Sequence, residues 1–278
     1  MLRHSASNFS DRELFGLSMR IISFCANGIE DALERGFFDW IAEQDADIVC
    51  IQNIGIQEYK LRDPKFFPSE YNAYFFDAAE PNTNGVAIYT RRLPKAIMYG
   101  LGFTDFDMEG RYIQADFEEL SVGCLLAPSA YPKDAKAQAR KGEFFDLFYN
   151  HLNKIRNKRR EFVICGNWNM VHRNIDVNNP EAAQGLSGFL GEEQQWMERL
   201  FHELGYIDAF RMVNRDADEF TWWPDGDQNS DGWRVDYQIV SNRFKPYIEY
   251  GVVYKNQQFG DHAPLVMDYD YELPEAAF

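Results

Sequence analysis

Several short stretches set polar side chains at the ends of apolar runs, and the residue types limit what chemistry they can do. "GWRVDYQIVS" (232–241) places Asp236 inside an apolar run, and "GDHAP" (260–264) puts Asp261 beside His262 just ahead of another. An aspartate and a histidine can share a proton, hold a water or stabilise charge on a phosphoryl oxygen. "CGNWN" (165–169) brings Asn167 and Asn169 to the end of the apolar run 162–165, "CIQN" (50–53) ends a second run on Asn53, and "SFCANG" (23–28) ends a third at Cys25. An amide orients a phosphate or a water, but it has no pKa near neutrality and is not a general base. Each group also has a plain structural reading: Asn after Gly often makes a turn, and a buried Asp–His pair can serve packing.

Side chains spread this widely need elements that gather them. Strand-length apolar runs lie at 20–25, 47–52, 73–76, 85–90, 111–117 and 121–127, then at 161–165, 219–223, 234–241, 248–253 and 264–269. Helical patterns occupy 28–44, 136–157 and 191–205; in the last, Trp196, Leu200 and Leu204 form one apolar stripe at i, i+4 and i+8. In open α/β sheets ligands bind where strand ends converge, and the polar groups sit at such ends. With no Pro-, Gly- or Ser-rich linker and no repeat, residues 19–270 read as one domain of two packed sheets with helices outside. Residues 1–18, charged throughout, read as a disordered extension or as lying upstream of a start at Met19, and 271–278 as a tail.

A hydrophobic content of 45% over 278 residues supports a sizeable core. Twenty-eight Lys and Arg against 44 Asp and Glu give a net charge of −16, which argues against strong unaided binding to nucleic acid. Two local exceptions are Arg91, Arg92 and Lys95 in "TRRLPK" and Lys154, Arg156, Lys158, Arg159 and Arg160 in "NKIRNKRR". A helix C-terminus accounts for one or two of those cations, and the rest are expected to face RNA or a partner. Trp222, Trp223 and Trp233 could stack bases but read as core. Cys25, Cys50, Cys124 and Cys165 show no C-x-x-C spacing, which suits reduced thiols and a cytoplasmic location. No run approaches the roughly 18 apolar residues of a membrane span.

The five polar stretches, in this order and spacing, resemble the motifs of the exonuclease III-type endonuclease/exonuclease/phosphatase superfamily from about residue 19 to 270. That resemblance implies a four-layer α/β sandwich, two mixed sheets flanked by helices. It also implies that the family's first Asn is matched by Cys25, its metal-binding Glu by Asn53 and its base Asp by Asn167, while Asn169, Asp236, Asp261 and His262 persist. A hard cation such as Mg²⁺ is held by carboxylates and waters, so a site left with Asp261 alone is expected to bind no metal and to need no cofactor. On this reading the persisting residues are a remnant, none is expected to be catalytic and the chain is a retired catalyst, the alternative being a divalent-metal-dependent phosphodiesterase of the abasic endonuclease or exonuclease III type, with Mg²⁺.

Within the superfamily the runs at 85–103, 110–122, 157–166, 220–225 and 232–240 look like the catabolite repression control proteins of pseudomonads and their relatives. The resemblance implies a translational co-repressor that acts with the RNA chaperone Hfq on A-rich mRNA in a ternary complex. Such a protein would bind RNA weakly or not at all when alone.

Overall fold

The computed structural model describes residues 19–274, so the reading of residues 1–18, and of 275–278 within the tail, lies outside the described residues. Twelve strands occur among the described residues: β1 (Met19–Cys25), β2 (Ile48–Gln52), β3 (Asn72–Phe76), β4 (Val86–Thr90), β5 (Ala96–Tyr99), β6 (Tyr112–Asp116), β7 (Leu120–Leu126), β8 (Glu161–Asn167), β9 (Ile207–Asp208), β10 (Asp236–Val240), β11 (Ile248–Val253) and β12 (Leu265–Tyr269). They form two six-stranded sheets, ordered β11-β12-β1-β2-β4-β3 and β5-β6-β7-β8-β10-β9. Both are mixed: β1 pairs parallel with β2 and antiparallel with β12, while β7 pairs parallel with β8 and β8 antiparallel with β10. Helices cover the outer faces, giving the expected four-layer sandwich.

The central strands read as unbroken apolar runs because both of their faces are covered. On β2, Ile48 and Cys50 enter the core between the sheets, whereas Val49 and Ile51 pack outward under the helices Ile29–Glu34 and Phe37–Ala42. On β8, Val163 and Cys165 face the other sheet, and Phe162 and Ile164 meet Phe144, Phe148 and Leu152 of helix Ala135–Ile155. Asp134 starts that helix by accepting from the Ala137 amide at 2.7 Å. All four cysteines are buried as free thiols in the core between the sheets.

Four elements differ from the sequence reading. The pattern at 28–44 is two six-residue helices, because Gly36 takes a left-handed φ of 85° and ends the first turn sequence. The run 219–223 is not a strand: Trp222 is joined to Trp233 and His262 through isolated bridges. The short edge strands β5 and β9, of four and two residues, carried too few residues to show a period.

Candidate active site

The strand ends converge as the topology requires. β1 and β2 run parallel with Cys25 opposite Gln52, so the turns that follow lie side by side, and the Gly28 amide donates to the Asn53 carbonyl at 2.9 Å. Asn27 and Asn53 both adopt left-handed backbone, with φ of 48° and 53°, a conformation asparagine accepts more readily than most residues. That geometry turns both side chains to the mouth, where the Asn53 amide donates to Asn27 Oδ1. Asn27 Nδ2 in turn donates to both oxygens of Asp261, at 2.7 and 2.9 Å. The Trp222 indole N–H donates to Asp261 Oδ2 at 3.1 Å.

The other sheet supplies the floor. Asn167 at the end of β8 is in register with Asp236 at the start of β10. Gly166 is required just before it, since a Cβ there would lie 2.0 Å from the Leu125 carbonyl oxygen and its φ is 141°. Asn167 Oδ1 accepts from the Asn169 amide at 2.8 Å, and its Nδ2 donates to Cys25 Sγ at 3.5 Å. Asn169, with φ of 52°, donates to the Ala127 carbonyl at 2.7 Å and has its own carbonyl held by the buried Lys141 ammonium at 2.7 Å.

At the base, His262 Nδ1 and Asp236 Oδ2 are 2.7 Å apart and both side chains are almost wholly buried. Burial opposes the imidazolium, but the Asp236 carboxylate and then the Cys25 sulfur outweigh it and hold the His262 pKa well above the usual range. Asp236 Oδ1 has no hydrogen-bond partner among the described residues. The Trp222 ring stacks over His262 at 6.0 Å. The site therefore has a buried Asp–His pair as its floor, amide walls and one carboxylate at its mouth.

A resident divalent cation fits this donor set poorly. Both Asp261 oxygens already accept from Asn27 and one also from Trp222, while Asn53 and Asn167 are neutral. Among the described residues no three His, Cys, Asp or Glu side chains converge as a cation site. Sequence reasoning singled out Cys25, Asn53, Asn167, Asn169, Asp236, Asp261 and His262, and the structure brings all seven together. It missed Asn27 and Lys141. Asn27 was signalled by an Asn-Gly pair at a strand end; Lys141, inside a long polar helix, gave no sign.

The basic residues lie elsewhere. Arg160 immediately precedes β8, whose far end carries Asn167, and Thr90 pairs with Ile48 at the end of β2 opposite the site. Seven residues of strand, about 20 Å, separate these ends. Several of the cations are also engaged: Arg91 with Asp45, Lys95 with Glu118, Arg156 with the Glu203 carbonyl at 2.8 Å, and Arg160 with Asp116 at 3.1 Å. Lys154, Lys158 and Arg159 are exposed. Trp223 and Trp233 are core, as expected, whereas Trp222 is only partly buried and reaches the site.

The fold is a four-layer sandwich of two mixed sheets, and the chain belongs to the endonuclease/exonuclease/phosphatase family, whose model matches residues 27–262. It is 29% identical over 253 residues to an exodeoxyribonuclease of Bacillus subtilis, covering 89% of this chain and 98% of that protein. A DNA repair nuclease of Danio rerio is 28% identical over 256 residues, covering 90% of this chain and 82% of the relative. In fold, an AP endonuclease from Archaeoglobus fulgidus matches with a TM-score of 0.82 at 23% identity, over 91% of this chain and 100% of that one.

These relatives correct the expectation of a retired catalyst serving as a co-repressor with Hfq: proteins that match nearly the whole chain carry nuclease names. The physical reason is that exchanging a carboxylate for an amide removes a charge at one atom without dismantling the site, and the Asp236–His262 pair stands intact. The finer resemblance to catabolite repression control proteins rests on the quoted sequence runs alone. No helix among the described residues is long and apolar enough to cross a membrane.

Proposed function

We propose that this chain hydrolyses nucleic-acid phosphate esters, as an exonuclease III-type nuclease acting on DNA, and that it does so slowly and without a resident divalent cation. The observation that carries the reading is the buried Asp236–His262 pair beneath a ring of amides at the joined strand ends, with Nδ1 and Oδ2 2.7 Å apart. A phosphate seated at the mouth of the site, beside the His262 ring that Trp222 covers, meets the edge of an imidazole that Asp236 biases toward the protonated form, so charge growing on a phosphoryl oxygen is stabilised above a largely water-free floor. Asn53 and Asn169 supply hydrogen bonds that orient the phosphate or the attacking water. Water adds to phosphorus and releases a proton to solvent, the bond to the leaving sugar oxygen breaks with its electron pair, and that oxygen takes a proton from solvent. Asn167 takes no proton from the water, so the rate lacks the roughly 10²–10⁴-fold contribution of a positioned base.

The test is single-turnover digestion of labelled duplex DNA, with and without an abasic site, at stoichiometric protein in buffers containing EDTA or Mg²⁺. Slow cleavage that survives EDTA and disappears in His262→Ala is the expected result. Cleavage no faster than the blank, with the oligonucleotide still bound, would overturn hydrolysis; cleavage that persists in the variant would trace it to a contaminant.

A further inference from the structure

Four cysteines lie buried between the sheets, and they keep different company. Cys50 meets the sulfurs of Cys124 and Cys165, and burial pushes the Cys50 and Cys124 thiols well above their usual range. A thiol held neutral in that way is inert. Cys25 stands instead at the end of β1, where its sulfur is hydrogen-bonded to the His262 ring. Asp236 occupies Nδ1 of that ring at 2.7 Å, so Nε2 is the nitrogen left for the sulfur. Asn167 Nδ2 donates to Cys25 Sγ at 3.5 Å, and Sγ lies 3.6 Å from Oδ1 of the exposed Asn27.

Thiol, imidazole and carboxylate thus follow one another in the order of an activated nucleophile, each orienting the next. With the shared proton on Nε2 the sulfur is a thiolate, the form that attacks electrophiles, and the Asn167 amide supports its charge. Depth then selects the reagent. Cys25 is 1% exposed, yet it touches an exposed side chain, so an electrophile little larger than water reaches it and a bulky one does not.

We infer that Cys25 is a site of oxidation by hydrogen peroxide, with its sulfur activated by His262 and Asp236. The sulfur attacks one peroxide oxygen, and the O–O bond breaks with its electron pair on the other. That leaving hydroxide takes the proton from Nε2 and departs as water. Sulfur is oxidised to a sulfenic acid and the peroxide is reduced. The inference stands apart from the hydrolysis proposed above, because it needs no phosphate at the site.

The experiment exposes the full folded chain to hydrogen peroxide for increasing times and stops each reaction with catalase. The chain is then unfolded in urea with dimedone, so that trapping the sulfenic acid needs no access within the fold. Peptide mass spectrometry should find dimedone on Cys25 and none on Cys50, Cys124 or Cys165. In His262→Gln the modification should form about 100-fold more slowly, the worth of a positioned base. Asp236→Asn keeps an acceptor for the ring and should slow it in the same direction; it replaces the first variant if circular dichroism shows that His262→Gln does not fold. Modification of another cysteine at the rate of Cys25, an unmodified Cys25, or an unchanged Cys25 rate in a folded variant would overturn the inference.

Discussion

Arg234 and Asp236 stand two residues apart, both fully buried, yet their charges are held in different ways. Arg234 donates to Asp176 at 2.7 and 3.2 Å and to Asp208 at 2.7 Å, leaving only Nη1 without a partner among the described residues, and Asp176 accepts again from Arg211 at 2.6 Å. Four side chains thus cross-link a loop, β9 and the helix Ala209–Val213. Asp236 has one side-chain partner, His262, and a second oxygen without any among the described residues. A redundantly paired buried charge holds a fold together, whereas a singly paired one keeps capacity for something that arrives from outside. Sequence proximity hides this difference; the partners reveal it.

The largest effect should come from the redundant network. Asp176→Ala would leave the buried Arg234 with Asp208 as its one carboxylate and Arg211 with backbone carbonyls alone, and should cost about 3–5 kcal/mol, read as a lower urea midpoint or loss of the folded chain. Next, Asp236→Asn keeps an acceptor for His262 but removes the charge that holds the imidazolium. Turnover should fall about 100-fold while stability changes by only about 1 kcal/mol; equal damage to both would erase the distinction between the two residues. In the opposite direction, Asn167→Asp places a carboxylate where water would be activated, and turnover should rise at least about tenfold.

The pH dependence separates the regions more finely. Burial would raise the Asp176 pKa, but Arg234 and Arg211 hold it down at about 2. Its contribution to stability is therefore complete above the unfolded value, near pH 4, and is lost as the pH falls toward 2. His262 has the opposite sign. Its folded pKa is raised, so its contribution is present below about pH 6.5 and is lost as the pH climbs through the raised value. Urea midpoints measured across the acid and alkaline limbs, with Asp176→Ala and Asp236→Asn respectively removing one limb each, check the assignment. The smallest effect expected is that of added Mg²⁺ on the melting temperature, a shift below about 1 °C, because a ligand stabilises only the state that binds it; a rise of several degrees would show that Asp261 exchanges its protein donors for the ion.

Much of this architecture was legible beforehand. Residues 48–52 and 162–165 had to be central strands because apolar side chains on both faces need cover on both, and the polar groups just past them had to gather at one crevice. The Asp236–His262 pair followed from motif order. Asn27 escaped notice because its role is a contact with Asp261, 234 residues away, and nothing local distinguishes a turn asparagine from one that immobilises a carboxylate. Lys141 escaped because burial of a lone lysine is set by Glu193 and the Asn169 carbonyl, which reach it from other elements. The basic clusters were legible as clusters, but only strand direction shows that they lie at the end of the sandwich away from the site.

The left-handed backbone at Asn27, Asn53 and Asn169 bears on how easily this chain could change its chemistry in evolution. Asparagine and aspartate tolerate that conformation alike, and their codons differ by one base, so a carboxylate could arise at Asn53 by a single step with little backbone strain. Glutamate at position 53 is different: it requires more than one base change and a longer side chain on a backbone that costs most residues about 1–2 kcal/mol. Reversal along that route should therefore favour aspartates first, giving a site that regains charge before it regains reach.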